Sequence, residues 1–153
     1  MIERINSQNQ DARMDEIADL GNAFLASLGE NSGRDAAGDR AVIGQMVDAG
    51  QTEIFLAISD TGQAVGITYF NVGTGFSCGG NYIWINGIFI DPDHRRRGYA
   101  SALLAEIEAF GETIGSRLIM STRDIGNGES RELFSHSGYV QEEQVVITRP
   151  ESD

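Results

Sequence analysis

Cysteine is almost missing: Cys78 is the only one in 153 residues. No internal disulfide can form, and a reducing cytoplasm fits a chain built this way. The one thiol has no activating partner recognisable in the sequence and reads better as a small residue in a glycine-rich turn. Histidine is equally scarce, at His94 and His136, so no metal cluster can be argued from the usual ligand types. Basic residues number 11 against 23 acidic ones, for a net charge of -12. That balance argues against nucleic acid and anionic membranes, since both select for a positive surface. It suits a cationic acceptor such as an amine, and it also serves plain solubility. No apolar run approaches the ~20 residues of a membrane span, and the opening MIERINSQNQDARMDE is polar rather than signal-like. Neither GxxxxGK(S/T) nor a GxGxxG after a strand is present, which sets aside P-loop ATPases and Rossmann dinucleotide sites.

What is present has the length and composition of one globular domain, residues 1–153, with 41% hydrophobic and 22% charged residues. Ile2–Ile5 can form a short first strand. Met14, Ile17, Ala18, Gly21, Phe24, Leu25 and Leu28 recur at helical spacing, and Gly29 follows as a C-cap. A loop with Gly33 and Gly38 leads to a shorter helix, Arg40–Ala49. Glu53–Ser59 reads as a strand, Asp60-Thr61-Gly62 as a turn, and Ala64–Val72 as the antiparallel partner. Gly73–Asn81 is glycine-rich and reads as a hairpin loop before the strongly apolar strand Tyr82–Ile90. Gly87 inside that strand predicts a bulge or a close backbone approach.

After the turn Asp91-Pro92-Asp93-His94, a long helix carries Ala100, Leu103, Leu104, Ile107, Phe110 and Ile114, with Gly115 as its stop. Arg117–Thr122 then reads as a buried strand. Strand, helix and strand in that order predict a right-handed crossover between parallel strands. A last short helix from Asn127 to Gly138 and a final strand Tyr139–Thr148 complete the pattern. The expected fold is α+β: a mixed, mostly antiparallel central sheet flanked by about four helices, with a central βαβ crossover.

A helix opening at Gly98 leaves its first N–H groups without internal partners. Gly98 and Ala100 are small enough for a bulky anion to approach, and the helix dipole favours negative charge there. Arg95, Arg96 and Arg97 add mobile positive charge in an otherwise acidic chain. The segment has the makings of a phosphate or pyrophosphate cradle. The stretch INGIFIDPDHRRRGYASALL, with its Arg-x-x-Gly-x-Ala, resembles the Q/R-x-x-G-x-G/A signature of the GNAT superfamily of N-acetyltransferases. A second stretch, NGESRELFSHSGY, is similar to that family's N-x-x-A-x-x-F-Y-x-x-x-G-F.

The resemblance implies acetyl-coenzyme A as co-substrate. Phe89 and Ile90 would offer backbone groups to the pantetheine arm, between the splayed ends of their strand and the Arg117–Thr122 strand. Arg95, Arg96, Arg97, Gly98, Tyr99, Ala100 and Ser101 would surround the pyrophosphate, and Asn127 would contact the cofactor from the other side. An N-cap role serves Asn127 equally well. Dimerisation is common in the family, so a homodimer is compatible with it.

Two positions often used for catalysis differ. The tyrosine that protonates the leaving thiolate aligns with Phe134, and the glutamate that acts as base aligns with Asn86. Expelling a thiol of pKa near 8.5 as thiolate at pH 7 costs only ~2 kcal/mol. The neutral form of an alkyl ammonium lies ~4.6 kcal/mol uphill, so the acceptor proton needs a taker. Glu53, Asn86 through a water, Tyr69 and His136 are candidates that no pattern separates. Trp84 and Tyr82 could wall an acceptor pocket or serve the sheet core. Three functions stay open at this point: direct acetyl transfer to an amine (a small polyamine or aminoglycoside-like molecule, or a protein amine), a non-catalytic acyl-coenzyme A-binding regulatory module, and an anion-binding structural domain with no coenzyme.

Overall fold

The sheet is held between helices of different origin on its two faces. The structure is a computed structural model and describes residues 1–123 and 126–142. It groups into two units, Met1–Thr122 and the residues from Arg123 onward.

In the first unit the strands are β1 (Ile2–Arg4), β2 (Thr52–Ile58), β3 (Ala64–Gly75), β4 (Gly80–Ile90) and β5 (Leu118–Ser121). They lie side by side in that order, antiparallel except for the parallel β4–β5 pair. The helices are α1 (Gln10–Ser27), α2 (Ala36–Asp48) and α3 (Tyr99–Thr113), with α4 (Gly128–His136) in the second unit. The expected architecture is therefore present among the described residues: four α-helices and a mostly antiparallel five-stranded sheet with a strand–helix–strand crossover.

Alternation along β2 decides which helix covers which face. Ile54, Leu56 and Ile58 pack with Met14, Ile17 and Leu20 of α1 and Ile43 of α2. Phe55 turns the other way and stacks edge-on against Phe70 and Phe110, the latter from α3. Both faces are covered, so Ile54–Ile58 is buried without a break and reads in sequence as one apolar run. At the close of α1, Gly29 takes φ 76° and the Glu30 amide donates to the Leu25 carbonyl at 2.9 Å, as the C-cap expectation required.

Four boundaries differ from expectation. α2 starts at Ala36 rather than Arg40, because the Asp35 carboxylate caps it by accepting from the Gly38 amide at 2.8 Å. Gly38 thus lies in the first turn of the helix and not in a loop. The β3–β4 loop is shorter than Gly73–Asn81: the ladder runs on to Gly75 and Gly80. Gly73 belongs in that ladder because the Tyr82 ring fills the place its side chain would take, 2.4 Å from a built Cβ. The strand expected to be buried, β5, is half-exposed, with Leu118 exposed, since within the described residues only β4 flanks it. Of the expected last strand, Tyr139–Glu142 is not in a strand, and 143–148 lies outside the described residues.

Candidate active site

β4 delivers the chain to the site, and its pairing changes along its length. Tyr82 to Ile85 pair with Leu118 to Ser121 of β5, and the Ser121 hydroxyl closes that ladder by donating to the Ile85 carbonyl at 3.0 Å. From Asn86 onward β4 has no β5 partner, yet it stays paired to β3 as far as Ile90↔Gly66. The two parallel strands therefore part at Asn86. The Asp91 amide donates to Val65 at 2.9 Å, which fixes the phase: backbone groups of Asp91 and Phe89 point at β3, and those of Ile88 and Ile90 point to the open side.

The Phe89 side chain is buried in the α1 core, 5.9 Å from the Phe24 ring centre. So of the pair named from sequence, Ile90 faces the opening with its backbone and Phe89 does not. Ile88 faces it and was missed, although strand alternation counted back from the DPDH turn could have found it.

The split begins at a bulge. Tyr69 pairs with Gly87 but Phe70 pairs with Ile85, leaving Asn86 opposite nothing. The extra residue puts Asn86 and Gly87 on the same face, the one α1 covers. A Cβ built on Gly87 would lie 2.4 Å from the Phe24 ring. The sequence offered a bulge or a close approach at Gly87, and both occur there. Behind them the buried Thr68 hydroxyl donates to the Gly87 carbonyl at 2.7 Å.

At the end of β4 the Asp91 carboxylate accepts from the Asp93 amide at 2.9 Å and caps a short 3-10 turn over Pro92–His94. Arg96 follows at φ 58° and Gly98 at φ 82°. Gly98 is the N-cap of α3 and has no side chain to offer its amides. The first intrahelical bond is Ala102 N–H to Gly98 C=O at 2.9 Å, so the N–H groups of Tyr99, Ala100 and Ser101 lie ahead of the ladder. A Cβ built on Gly98 would meet nothing within 4 Å. The approach to those amides is open.

All three arginines are exposed, and two of them are tied to backbone carbonyls of the loop. Arg95 donates from Nε to the Ile90 carbonyl at 3.0 Å, with its guanidinium 5.8 Å from the Phe89 ring centre. Arg97 donates to the Asp93 carbonyl at 3.1 Å. Both brace the loop with hydrogen bonds that leave their charge intact. Arg96 is exposed.

The candidates for handling the acceptor proton now separate. Glu53 lies on the α3 face with both carboxylate oxygens bound by Arg4 at 2.7 Å. The His136 ring is bonded to the Glu132 carbonyl at 2.8 Å within α4. Tyr69 lies on the bulge face, 6.3 Å from Phe24. Burial, and secondarily the negative charge of Glu30, pushes its phenol above the ordinary value, so it stays neutral at pH 7. Asn86 is exposed at the bulge and donates to the Asn71 side chain. In the second unit Asn127 caps α4 by accepting from the Ser130 amide at 3.0 Å. Phe134 there stacks edge-on to Tyr139 at 5.2 Å.

An acetyltransferase (GNAT) family model matches residues 22–139, from the end of α1 through α4. The chain belongs to the acetyltransferase (GNAT) family. Among curated relatives, aminoglycoside N(6')-acetyltransferase type 1 of Salmonella typhimurium is 26% identical over 108 residues, 69% of this chain and 74% of that protein. The Serratia marcescens protein of the same name is 30% identical over 66 residues, 43% of this chain and 45% of that one. Solved structures repeat the fold. A probable acetyltransferase superposes with TM-score 0.85 at 16% identity, covering 100% of this chain and 99% of that one. AAC(6')-Iy in complex with the bisubstrate analogue CoA-S-monomethyl-acetylneamine superposes with TM-score 0.80 at 21% identity, covering 99% and 98%.

This GNAT protein is accordingly an acyltransferase that uses acetyl-coenzyme A and acetylates an amine. Of the functions that the sequence left open, acetyl transfer is the one these findings support. No described helix is long and apolar enough to cross a membrane.

Proposed function

We propose that this acetyltransferase acts on an amino group of an aminoglycoside-like polycation. The observation that carries the reading is the face beside the strand split. Half-buried Tyr69 and Trp84 lie there with the Asn71–Asn86 amide pair, and the carboxylate of Glu30 is near enough to act on the Tyr69 phenol. Aromatic edges, neutral hydrogen-bonding groups and negative charge suit an amine-bearing sugar ring. The names of the curated relatives and the net charge of -12 support the same acceptor class.

In this reading the diphosphate of acetyl-coenzyme A rests on the Tyr99, Ala100 and Ser101 amides, past Gly98, with Arg95, Arg96 and Arg97 around it. The pantetheine arm lies along the edge of β4 that β5 leaves unpaired, at Ile88 and the Ile90 N–H, next to Phe89. The Ile90 N–H faces the opening and would polarise the thioester carbonyl. The family resemblance assigns Asn127 a cofactor contact as well, compatible with its capping its own helix. The whole chain, 1–153, works as one catalytic domain in the cytoplasm, as monomer or homodimer, which light scattering distinguishes.

The test is thiol release from acetyl-coenzyme A with aminoglycosides, polyamines and alanine-starting peptides as parallel acceptors. Mass spectrometry then locates the acetyl group. Efficient turnover of an aminoglycoside is expected. Turnover confined to peptides would overturn the acceptor assignment, and the similarity at TM-score 0.76 to the Brucella ribosomal-protein-alanine N-acetyltransferase makes that arm worth including.

A further inference from the structure

Three polar side chains on adjacent strands form a line that ends at the bulge. Thr52 of β2 pairs with Asn71 of β3, and Asn71 pairs with Trp84 of β4. All point to the face that α1 covers, as does Asn86. Asn71 Nδ2 donates to Thr52 Oγ1 at 2.8 Å, and Asn71 Oδ1 accepts from Asn86 Nδ2. The donor groups of both amides are thereby directed inward along the line. Asn86 is exposed and sits at the residue where β5 leaves β4. A primary amide has one acceptor oxygen and two N–H bonds on opposite ends. With its nitrogen end held by Asn71, its carbonyl oxygen is the end presented outward.

We infer that Asn86 receives the acceptor nitrogen on its carbonyl oxygen, and that Asn71 and Thr52 are positioning residues that hold the amide in that sense. The inference rests on acetyl transfer to an amine at this site, and not on which amine. Asn86 is neutral and takes no proton. Its part is to accept an N–H bond so that the nitrogen lone pair is aimed at the thioester carbon. That lone pair forms the N–C bond, the C–S bond breaks, and its electron pair leaves on the coenzyme A sulfur. The amine attacks in its neutral form, having first given its ammonium proton to solvent water, and the second proton, lost from nitrogen after attack, goes to solvent water or to the departing thiolate. As nitrogen becomes positive during attack its N–H bonds become better donors, so the contact strengthens towards the transition state.

Side-chain identity at position 71 distinguishes this sense of the amide from its reverse. Aspartate there can accept from Asn86 Nδ2 but has nothing to donate, whereas leucine can do neither. Asn71→Leu is expected to lower kcat about 10-fold, the scale of a misplaced reactant, with KM for acetyl-coenzyme A unchanged. Thr52→Val should act in the same direction and more weakly, and Asn71→Asp should recover most of the Asn71→Leu loss.

A second measurement needs no acceptor. In side-chain amide NMR of the whole protein, one Asn86 N–H proton should exchange slowly and lose its protection in Asn71→Leu. Equal damage from Asn71→Asp and Asn71→Leu would mean the amide faces the other way. Wild-type kinetics in Asn71→Leu, or an unprotected Asn86 amide, would overturn the proposal outright. A wild-type chain that acetylates only peptides refutes the aminoglycoside reading and leaves this test intact. One that turns over no amine removes the inference too.

Discussion

The ring of Phe24 occupies the space in which Gly87 would carry a side chain, 2.4 Å from a Cβ built there. The contact ties the last turn of α1 to the bulge where β4 parts from β5, and the same ring touches Tyr69 and Phe89. Gly87→Ala forces the ring aside and should cost ~1–3 kcal/mol of stability, the usual range for overpacking. It should also raise KM for the acceptor, because Glu30, just past the end of α1, shifts relative to Tyr69 on β3. The combination Gly87→Ala/Phe24→Leu should regain more than half of that stability. Urea denaturation of the four proteins in a double-mutant cycle measures the coupling, expected above ~1 kcal/mol. Additive effects would show that the two residues do not share the space.

Gly98 is constrained differently. Nothing would touch a side chain there, but φ 82° penalises any L residue. Gly98→Ala should cost ~1 kcal/mol through the backbone alone. Gly98→Glu adds bulk and negative charge where a diphosphate would rest, and should weaken coenzyme A binding at least ~10-fold by like-charge repulsion. An exposed arginine contact contributes ~1 kcal/mol or less, so Arg97→Ala should weaken binding far less than Gly98→Glu. Calorimetric titration ranks the three. Unchanged affinity in Gly98→Glu would place the cofactor elsewhere.

Arg96 should respond with opposite signs in two measurements. It is a non-glycine residue at φ 58°, a conformation that costs about 1 kcal/mol. Arg96→Gly should therefore raise stability by ~0.5 kcal/mol, after allowing for the greater freedom of glycine in the unfolded chain. The same change removes an exposed positive charge beside the α3 amides. Coenzyme A affinity should drop severalfold at low salt, with a smaller difference at high salt. A thermal melt and a salt series of titrations check the two halves. Loss of stability would mean that the arginine side chain holds the loop.

These residues also indicate how far the sequence carried. Gly87 and Gly98 were legible because a glycine in a strand and a glycine opening a helix each have few explanations. The uncapped amides at the start of α3 were legible because Gly98 and the helix it opens are contiguous in sequence. Ile88 was not, since which β4 residues face the opening depends on the phase of pairing with β3. The start of α2 is not legible in sequence, because Gly38 reads as a loop residue and only the fold shows the Asp35 carboxylate capping the helix there. The bracing roles of Arg95 and Arg97 depend on carbonyls brought back by a 3-10 turn, and charge alone does not reveal them. The line Thr52–Asn71–Asn86 joins three strands, and such pairing depends on register.

Acid stability offers the last test. Asp39 is buried at the α1–α2 contact, where it accepts from Asn22 at 2.7 Å and from Arg34 at 2.9 Å. The Asn22 hydrogen bond, and after it the Arg34 guanidinium, hold its carboxyl below the ordinary value against the opposing effect of burial. For Glu16 burial pushes upward, but the Ala64 amide at 2.6 Å and the Arg13 guanidinium outweigh it, and the net shift is again downward. A carboxylate depressed in the folded state adds stability above its unfolded pKa, near 4, and loses it as pH falls through the folded value. Asp39→Asn should thus be less stable than wild type at pH 7, and the gap should narrow below about pH 4. Its stability should fall less steeply with acid than that of wild type. Denaturation midpoints from pH 7 down to pH 3 measure both curves, and parallel curves would mean that Asp39 titrates alike in the folded and unfolded chain.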